Sequence, residues 1–327
     1  MIVAGDIGGT NARLATFDVQ AGRLLLVKEI TYPSRSEPDL ETIVRRFVQE
    51  ARPSATAAAL GVAGPVKDGR IETPNLPWVV DSRRLAAILS VPNVTLLNDL
   101  KANAYGLRHL GPTDFAILQA GAHDAVGNQA ILSAGTGLGC AGLYWDGQRH
   151  RPFATEGGHG DFAPRNHTEA ELMEDIAKEK GRVSSERILS GNGLVRVYRF
   201  LRARSGVPEP PALAERFEKE DPAAVVSRTG LNGQDPICAQ ALEMFVSAYG
   251  AEAGNVALGM LATGGVFLGG GIAPKNLPAF QREGTFMKAF LDKGRMRPLL
   301  ETIPVLVVLN DRAALWGAAH CAAFAES

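Results

Sequence analysis

One local pattern occurs twice in this chain, and the two copies lie far apart. An apolar strand-like run enters a glycine turn and leaves as a second strand-like run. The first copy is "GDIGGTNARLATFD", around residue 8, and the second is "SAGTGLGCAGLYWDG", around residue 136. Strand, glycine turn, strand is hairpin chemistry. It also suits a second purpose: glycine permits positive φ, so successive N–H groups can face one side and form an anion nest. Either turn alone reads most simply as an ordinary hairpin. Two in corresponding places, the first preceded by Asp6 at a strand end, shift the balance toward a pair of phosphate-binding turns. "GLGCAG", residues 137–142, matches G-x-G-x-x-G, but "LYWDG" follows it, and a dinucleotide site needs a helix there. The lysine-bearing phosphate loop G-x-x-x-x-G-K-[S/T] is absent from the sequence.

The elements around the two turns predict an α/β chain. Residues 1–110 read as β-β-β-α-β-α-β-α. The helix over 38–52 has Leu40, Ile43, Val44, Phe47 and Val48 at helical spacing, and Asp81 caps a short helix at 82–89. Asp146-Gly147 closes the second unit, a helical run extends from about residue 169 to 261, and "GGVFLGGGIAP" is a strand entering a triple glycine. "ETIPVLVVLND" is the last strand and "RAALWGAAHCAAFAE" the last helix. We expect that helix to return to the first lobe. The division is then 1–110 plus 311–327 for a small lobe and 111–310 for a large one, around a hinged cleft. A length of 327 residues suits two lobes of ordinary size.

Charge excludes some partners. Lys plus Arg number 34 against 35 Asp plus Glu, so nothing favours nucleic acid or an anionic membrane. Cys140, Cys238 and Cys321 are scattered and odd in number, which predicts reduced thiols and a cytoplasmic location. Residues 256–272 are apolar but broken by glycine, and too short to span a bilayer.

Several residues have chemistry to offer, each beside a plainer reading. Asp99 ends the run "VTLLN" and opens a helix; it is a candidate base, or simply an N-cap. Glu156 and His159 have the E-x-x-H spacing of helical metal ligands, but Gly157, Gly158 and Gly160 argue against a helix. A carboxylate and an imidazole on a loop suit sugar hydroxyls, which both donate and accept. Glu186 reads as a surface acid on a short helix. Asn75 reads as a turn residue between prolines. Gly269, Gly270 and Gly271 read as a tight strand–helix crossing.

"GDIGGTNARLATFD", "LLNDLKANAYGL", "SAGTGLGCAGL", "EGGHGDFAP", "VSSERILSGNGL" and "GGVFLGGGIAP" occur in the order found in bacterial ATP-dependent glucokinases. The chain resembles that family from about residue 2 to 320. It lacks cysteines after the histidine of "EGGHGDF", so it is similar to the zinc-free type. The resemblance implies two ribonuclease-H-like lobes, as in actin-like ATPases, with mixed sheets around a central cleft. It implies transfer of the γ-phosphoryl of ATP to the 6-hydroxyl of glucose, the step that feeds glycolysis. It makes Asp99 the base and Asn98, Glu156, His159, Glu186 and Asn75 sugar ligands. It places Gly8, Gly9, Thr10, Asn11, Gly135, Thr136 and Gly137 at the phosphates, Gly269–Gly271 at the adenosine, and Asp6 on Mg²⁺ through water. ATP over ADP or polyphosphate, and a homodimer, are implied by the resemblance alone. Kinases of mannose, fructose or amino sugars, and a sugar-responsive regulator or actin-like ATPase, are the competing readings. A DNA-binding module has no room before a strand that begins at Ile2.

Overall fold

The computed structural model describes residues 1–73 and 76–324. Its contacts divide the chain into two units. One comprises Met1–Pro112, Pro152–Ala154 and the described chain from Asn310 onward; the other comprises Thr113–Arg151 and Thr155–Leu309.

The first unit is built on a five-stranded mixed sheet. β1 (Ile2–Ile7) and β2 (Asn11–Gln20) form the first hairpin, and β3 (Arg23–Pro33) continues the meander. After α1 (Leu40–Ala51), β4 (Ala57–Val62) lies parallel to β1. A small hairpin, β5 (Arg70–Glu72) and β6 (Val79–Asp81), precedes α2 (Ser82–Leu89). β7 (Val94–Asn98) lies parallel to β4 and leads into α3 (Asp99–Gly106). The sheet order is β3-β2-β1-β4-β7. Helix starts follow the sequence signals: the Asp39 carboxylate accepts from Thr42 N–H, and Asp81 accepts from the Arg83 and Arg84 amides. β1, β4 and β7 end in step, with Ile7 beside Val62 and Val62 beside Asn98. Their carboxyl ends therefore gather Asp6, the first glycine turn, Asn98 and Asp99.

The second unit repeats that order with additions. β8 (Phe115–Gln119) is followed by the hairpin of β9 (Gln129–Ala134) and β10 (Leu138–Trp145), then β11 (His150–Thr155). Asp146 Oδ1 accepts from the Gln148 and Arg149 amides in the turn between β10 and β11. Helices α4 (His167–Lys180), α5 (Gly191–Ser205), α6 (Pro211–Lys219), α7 (Pro222–Leu231) and α8 (Pro236–Gly259) come next. β12 (Gly265–Gly269) runs parallel to β9 and is followed by the short helices α9 (Ile272–Lys275), α10 (Leu277–Phe280), α11 (Phe286–Leu291) and α12 (Arg297–Glu301). β13 (Val305–Val308) completes the order β11-β10-β9-β12-β13-β8. The duplication seen as two glycine turns thus extends over five strands of each sheet.

The last helix, α13 (Ala313–Ala323), belongs to the first unit. Leu315, Ala318 and Ala319 pack with Ile2, Ala4, Ala15 and Phe17, and Trp316 meets the Phe17 ring edge-on at 5.0 Å. Phe17 is fully buried there, so Phe17→Ala would cost about 3–5 kcal/mol. Four strands were not anticipated from sequence: β5, β6, β8 and β11. The "GVPEPPALAE" break predicted inside the helical run is the α5–α6 junction.

Candidate active site

The first turn is held from both strands and from outside the hairpin. Gly8 N–H donates to Asn11 O at 2.9 Å. The fully buried Ser34, at the end of β3, donates its hydroxyl to Gly8 O at 2.8 Å and its N–H to Thr10 O at 2.9 Å. Thr10 and Asn11 face solvent at this braced tip. One expectation fails: Gly8, Gly9, Gly135 and Gly137 all lie outside the positive-φ region, so neither turn forms the left-handed nest expected of it. The strands close over loops of ordinary backbone; Gly137 makes room for Glu186, whereas a Cβ at Gly135 would meet open space.

Asp6 sits opposite Arg13 in the β1–β2 register. Arg13 also grips Asp311, donating to its carboxylate and to its backbone carbonyl at 2.9 Å each, and approaches Glu29 at 3.5 Å. Burial pushes the Asp6 carboxyl up to about 6; Arg13 opposes the rise, and the Asp99 and Asp311 carboxylates add to it. Asp6 and Asp99 therefore share one electrostatic neighbourhood.

The capping role that sequence left open for Asp99 falls to its neighbour. Asn98, not Asp99, is the N-cap of α3: its Oδ1 accepts from Leu100 N–H at 3.0 Å and Lys101 N–H at 3.2 Å, while Nδ2 donates to Gly64 O at 3.3 Å. Asp99 is the first helical residue, and its Oδ1 accepts from Leu100 N–H at 2.9 Å. The α3 N-terminus favours an ionised carboxylate at that position. Asn98 retains one amide hydrogen for another acceptor.

Glu156, His159 and Glu186 converge in the second unit. A single 3₁₀ turn spans Gly157–His159, so the glycines permit one tight helical turn where none was expected. That turn brings His159 Nε2 within 3.8 Å of Glu156 Oε2, while His159 Nδ1 lies 4.0 Å from Glu186 Oε1. Thr155 Oγ1 donates to Cys140 O at 3.0 Å and accepts from Gly157 N–H at 3.2 Å, tying the loop to β10. Arg182 clamps the far side, donating to Asp161 Oδ1 at 2.6 Å and His159 O at 2.9 Å.

Glu186 links this cluster to the second glycine turn. Its Oε2 accepts from Leu138 N–H at 3.0 Å, leaving Oε1 on the side of His159. A Cβ at Gly137 would come 2.5 Å from that Oε2, so a larger residue there would displace the Glu186 carboxylate from this position. Gly191 N–H donates to Gly135 O at 2.8 Å, which fastens the turn to the start of α5, and Thr136 is exposed at its tip. Gly269 ends β12 beside Ser133, Gly270 adopts φ +74°, and Gly271 leads into α9. The triple glycine is thus a tight strand–helix crossing next to the second turn. Asn75 lies outside the described residues. Among the described residues, no group of three or more His, Cys, Asp or Glu could hold a metal ion by itself.

Sequence reasoning missed Arg13, Ser34, Thr155 and Arg182. Arg13 had a usable signal, since it mirrors Asp6 about the centre of the hairpin.

The glucokinase family model matches residues 3–325. The chain belongs to the glucokinase family. It is 44% identical over 346 residues to the glucokinase of Synechocystis sp., covering 98% of this chain and 97% of that protein. It is 42% identical over 339 residues to the glucokinase of Nostoc sp., covering 99% of each. The crystal structure of glucokinase from an Antarctic psychrotroph matches with a TM-score of 0.82 at 31% identity, over 98% of both chains. The chain is accordingly an ATP-dependent hexose kinase of the glucokinase family, and the regulator and actin-like ATPase readings give way. No helix among the described residues is long and apolar enough to cross a membrane.

Proposed function

We propose that this chain transfers the γ-phosphoryl group of ATP to the 6-hydroxyl of glucose, with Asp99 as the base. The observation that carries the sugar side is the convergence of Glu156, His159 and Glu186 beside the Gly135–Gly137 turn, with Glu186 hydrogen-bonded to Leu138 at the turn and 4.0 Å from His159. Hydroxyl groups need acceptors and donors together, and two carboxylates with one imidazole supply both.

Hydrogen bonds support the parts given to Asn98 and Glu186, and helix position the part given to Asp99. Asp99, favoured in its ionised form by the α3 N-terminus, accepts the proton of the attacking hydroxyl. Asn98 offers its remaining amide hydrogen to a neighbouring hydroxyl. Glu186 presents Oε1 to the sugar while Oε2 holds Leu138 N–H. Thr10, Asn11 and Thr136, with Gly8, Gly9, Gly135 and Gly137, contact the phosphates, and Gly269–Gly271 let the backbone approach the adenosine. Positioning and electrostatics carry the chemistry, because phosphoryl transfer needs little covalent help.

Asp6 suits Mg²⁺ held through water. Its carboxyl is raised to about 6 by burial and by the Asp99 and Asp311 charges, which a divalent cation would offset. Magnesium bound there would neutralise charge on the β- and γ-phosphates. Free cysteines fit a cytoplasmic setting. A homodimer is the expected assembly, to be read from the mass in solution.

A coupled assay tests the reading with glucose, mannose, fructose and glucosamine against Mg-ATP, Mg-ADP and polyphosphate. Glucose with Mg-ATP should give the highest kcat/KM. A preference for another hexose corrects the substrate, and failure of every sugar refutes the proposal.

A further inference from the structure

We propose that Tyr249 is a positioning residue for the nucleotide, its hydroxyl setting the strand end from which the Gly135–Gly137 turn springs. The inference rests on the reading that this turn holds phosphate. Tyr249 lies midway along α8, fully buried, with Phe245, Phe280 and Phe286 around its ring at centroid distances of 6.1, 5.5 and 6.2 Å. In so apolar a setting a phenylalanine would avoid the cost of burying a hydroxyl. The hydroxyl is there because β9 uses it: it donates to Leu132 O at 2.8 Å and accepts from Ala134 N–H at 3.2 Å.

Those groups lie where the sheet runs out. The β9–β12 ladder ends at the pair Ser133–Gly269, one residue before Ala134. Opposite, the chain turns away at Gly270, whose positive φ lets its backbone press against the Ala134 peptide, where a Cβ would collide. Tyr249 takes the place of the next rung. Ala134 is followed at once by Gly135, whose N–H donates to Gly137 O at 2.9 Å and whose carbonyl accepts from Gly191. Both glycine segments assigned to the nucleotide therefore meet at Ala134, and the phenol fixes the orientation of its amide. Burial also raises the phenol well above its ordinary pKa, so it remains a donor at every working pH.

The test is Tyr249→Phe, with Tyr198→Phe as control. Tyr198 is another buried tyrosine of the second unit, bonded through its hydroxyl to Glu209 and Arg202. Tyr249→Phe orphans a buried backbone amide at the turn and should raise KM for ATP about tenfold. KM for glucose should stay within about twofold, and Tyr198→Phe should leave both constants unchanged while lowering stability. An unchanged KM for ATP in Tyr249→Phe, an equal rise for both substrates, or the same ATP effect from Tyr198→Phe overturns the proposal. Thr136→Ala separates the two levels. If it raises KM for ATP and Tyr249→Phe does not, the positioning role alone fails; if Thr136→Ala has no effect on ATP, the reading of the turn fails. Should Tyr249→Phe not fold, hydrogen exchange on the unaltered protein decides. The Ala134 amide should exchange as slowly as that of Ile131 in mid-strand, and exchange as fast as that of Thr136 overturns the role.

Discussion

Asp6→Asn should make the protein more stable at neutral pH, although it removes the residue proposed to hold magnesium. The Asp6 carboxyl is raised from 3.8 to about 6 in the folded state. A carboxyl raised on folding binds its proton more tightly in the native state, so it contributes stability below the unfolded value and loses it as pH rises through about 6. The full shift corresponds to about 3 kcal/mol, at 1.36 kcal/mol per unit. Linkage places about 1 kcal/mol of that loss below pH 4.5 and about 2 kcal/mol between pH 4.5 and 7. Asparagine keeps the size and polarity of the side chain and cannot ionise. The assay is urea unfolding of both proteins, free of nucleotide and metal, from pH 4.5 to 8. Taking the difference at each pH cancels every other titrating group. The stability advantage of Asp6→Asn should grow by about 2 kcal/mol up to pH 7 and then level off. A difference that is flat with pH, or that shrinks as pH rises, refutes the claim that burial and the Asp99 and Asp311 charges load this carboxylate.

Three further outcomes follow from the same geometry. The apparent affinity for Mg-ATP should fall about tenfold per pH unit below about 6, because the proposed magnesium site uses Asp6 without its proton; initial-rate titrations of ATP from pH 5 to 8 check this. Glu156→Gln and His159→Ala should each raise KM for glucose at least tenfold, an effect of about 1.4 kcal/mol, with KM for ATP changed less than threefold. Equal weakening of both substrates would remove these residues from the sugar set. Ser34→Ala deletes the bond to Gly8 O and should cost about 1 kcal/mol in urea unfolding while raising KM for ATP, and unchanged values of both would show that the first turn needs no brace.

The sheet was legible where physics writes it into short stretches. β1, β4, β9 and β12 are buried strands with near-continuous apolar runs whose ends are marked by glycines, and β7 ends at Asn98 where α3 begins. β8 was not legible, because it is an edge strand with no fully buried residue and Ile117 is 61% exposed. β5 and β6 have three residues each, too few for a period to show. At the site, residue types were readable and partnerships were not. Asp6 stood out as a lone acid in an apolar strand, but its dependence on Arg13 and Asp311 spans 298 residues between those two partners. Asn98 and Asp99 are both good capping residues, and only the backbone angles decide that Asn98 takes the cap. The left-handed nest was inferred from glycine content, whereas close approach of Glu186 explains Gly137. Tyr249 gave no signal at all: a tyrosine in an apolar helix reads as core, and its function appears only against the end of β9.

Asp99→Asn tests the central claim most directly. Glucose binding, measured by calorimetry or intrinsic fluorescence, should stay within a few fold of the unaltered protein. The kcat with Mg-ATP should fall by about a thousandfold or more, the loss of a base together with its orienting effect. Turnover within tenfold of the unaltered enzyme would show that the carboxylate at the start of α3 takes no proton from the sugar.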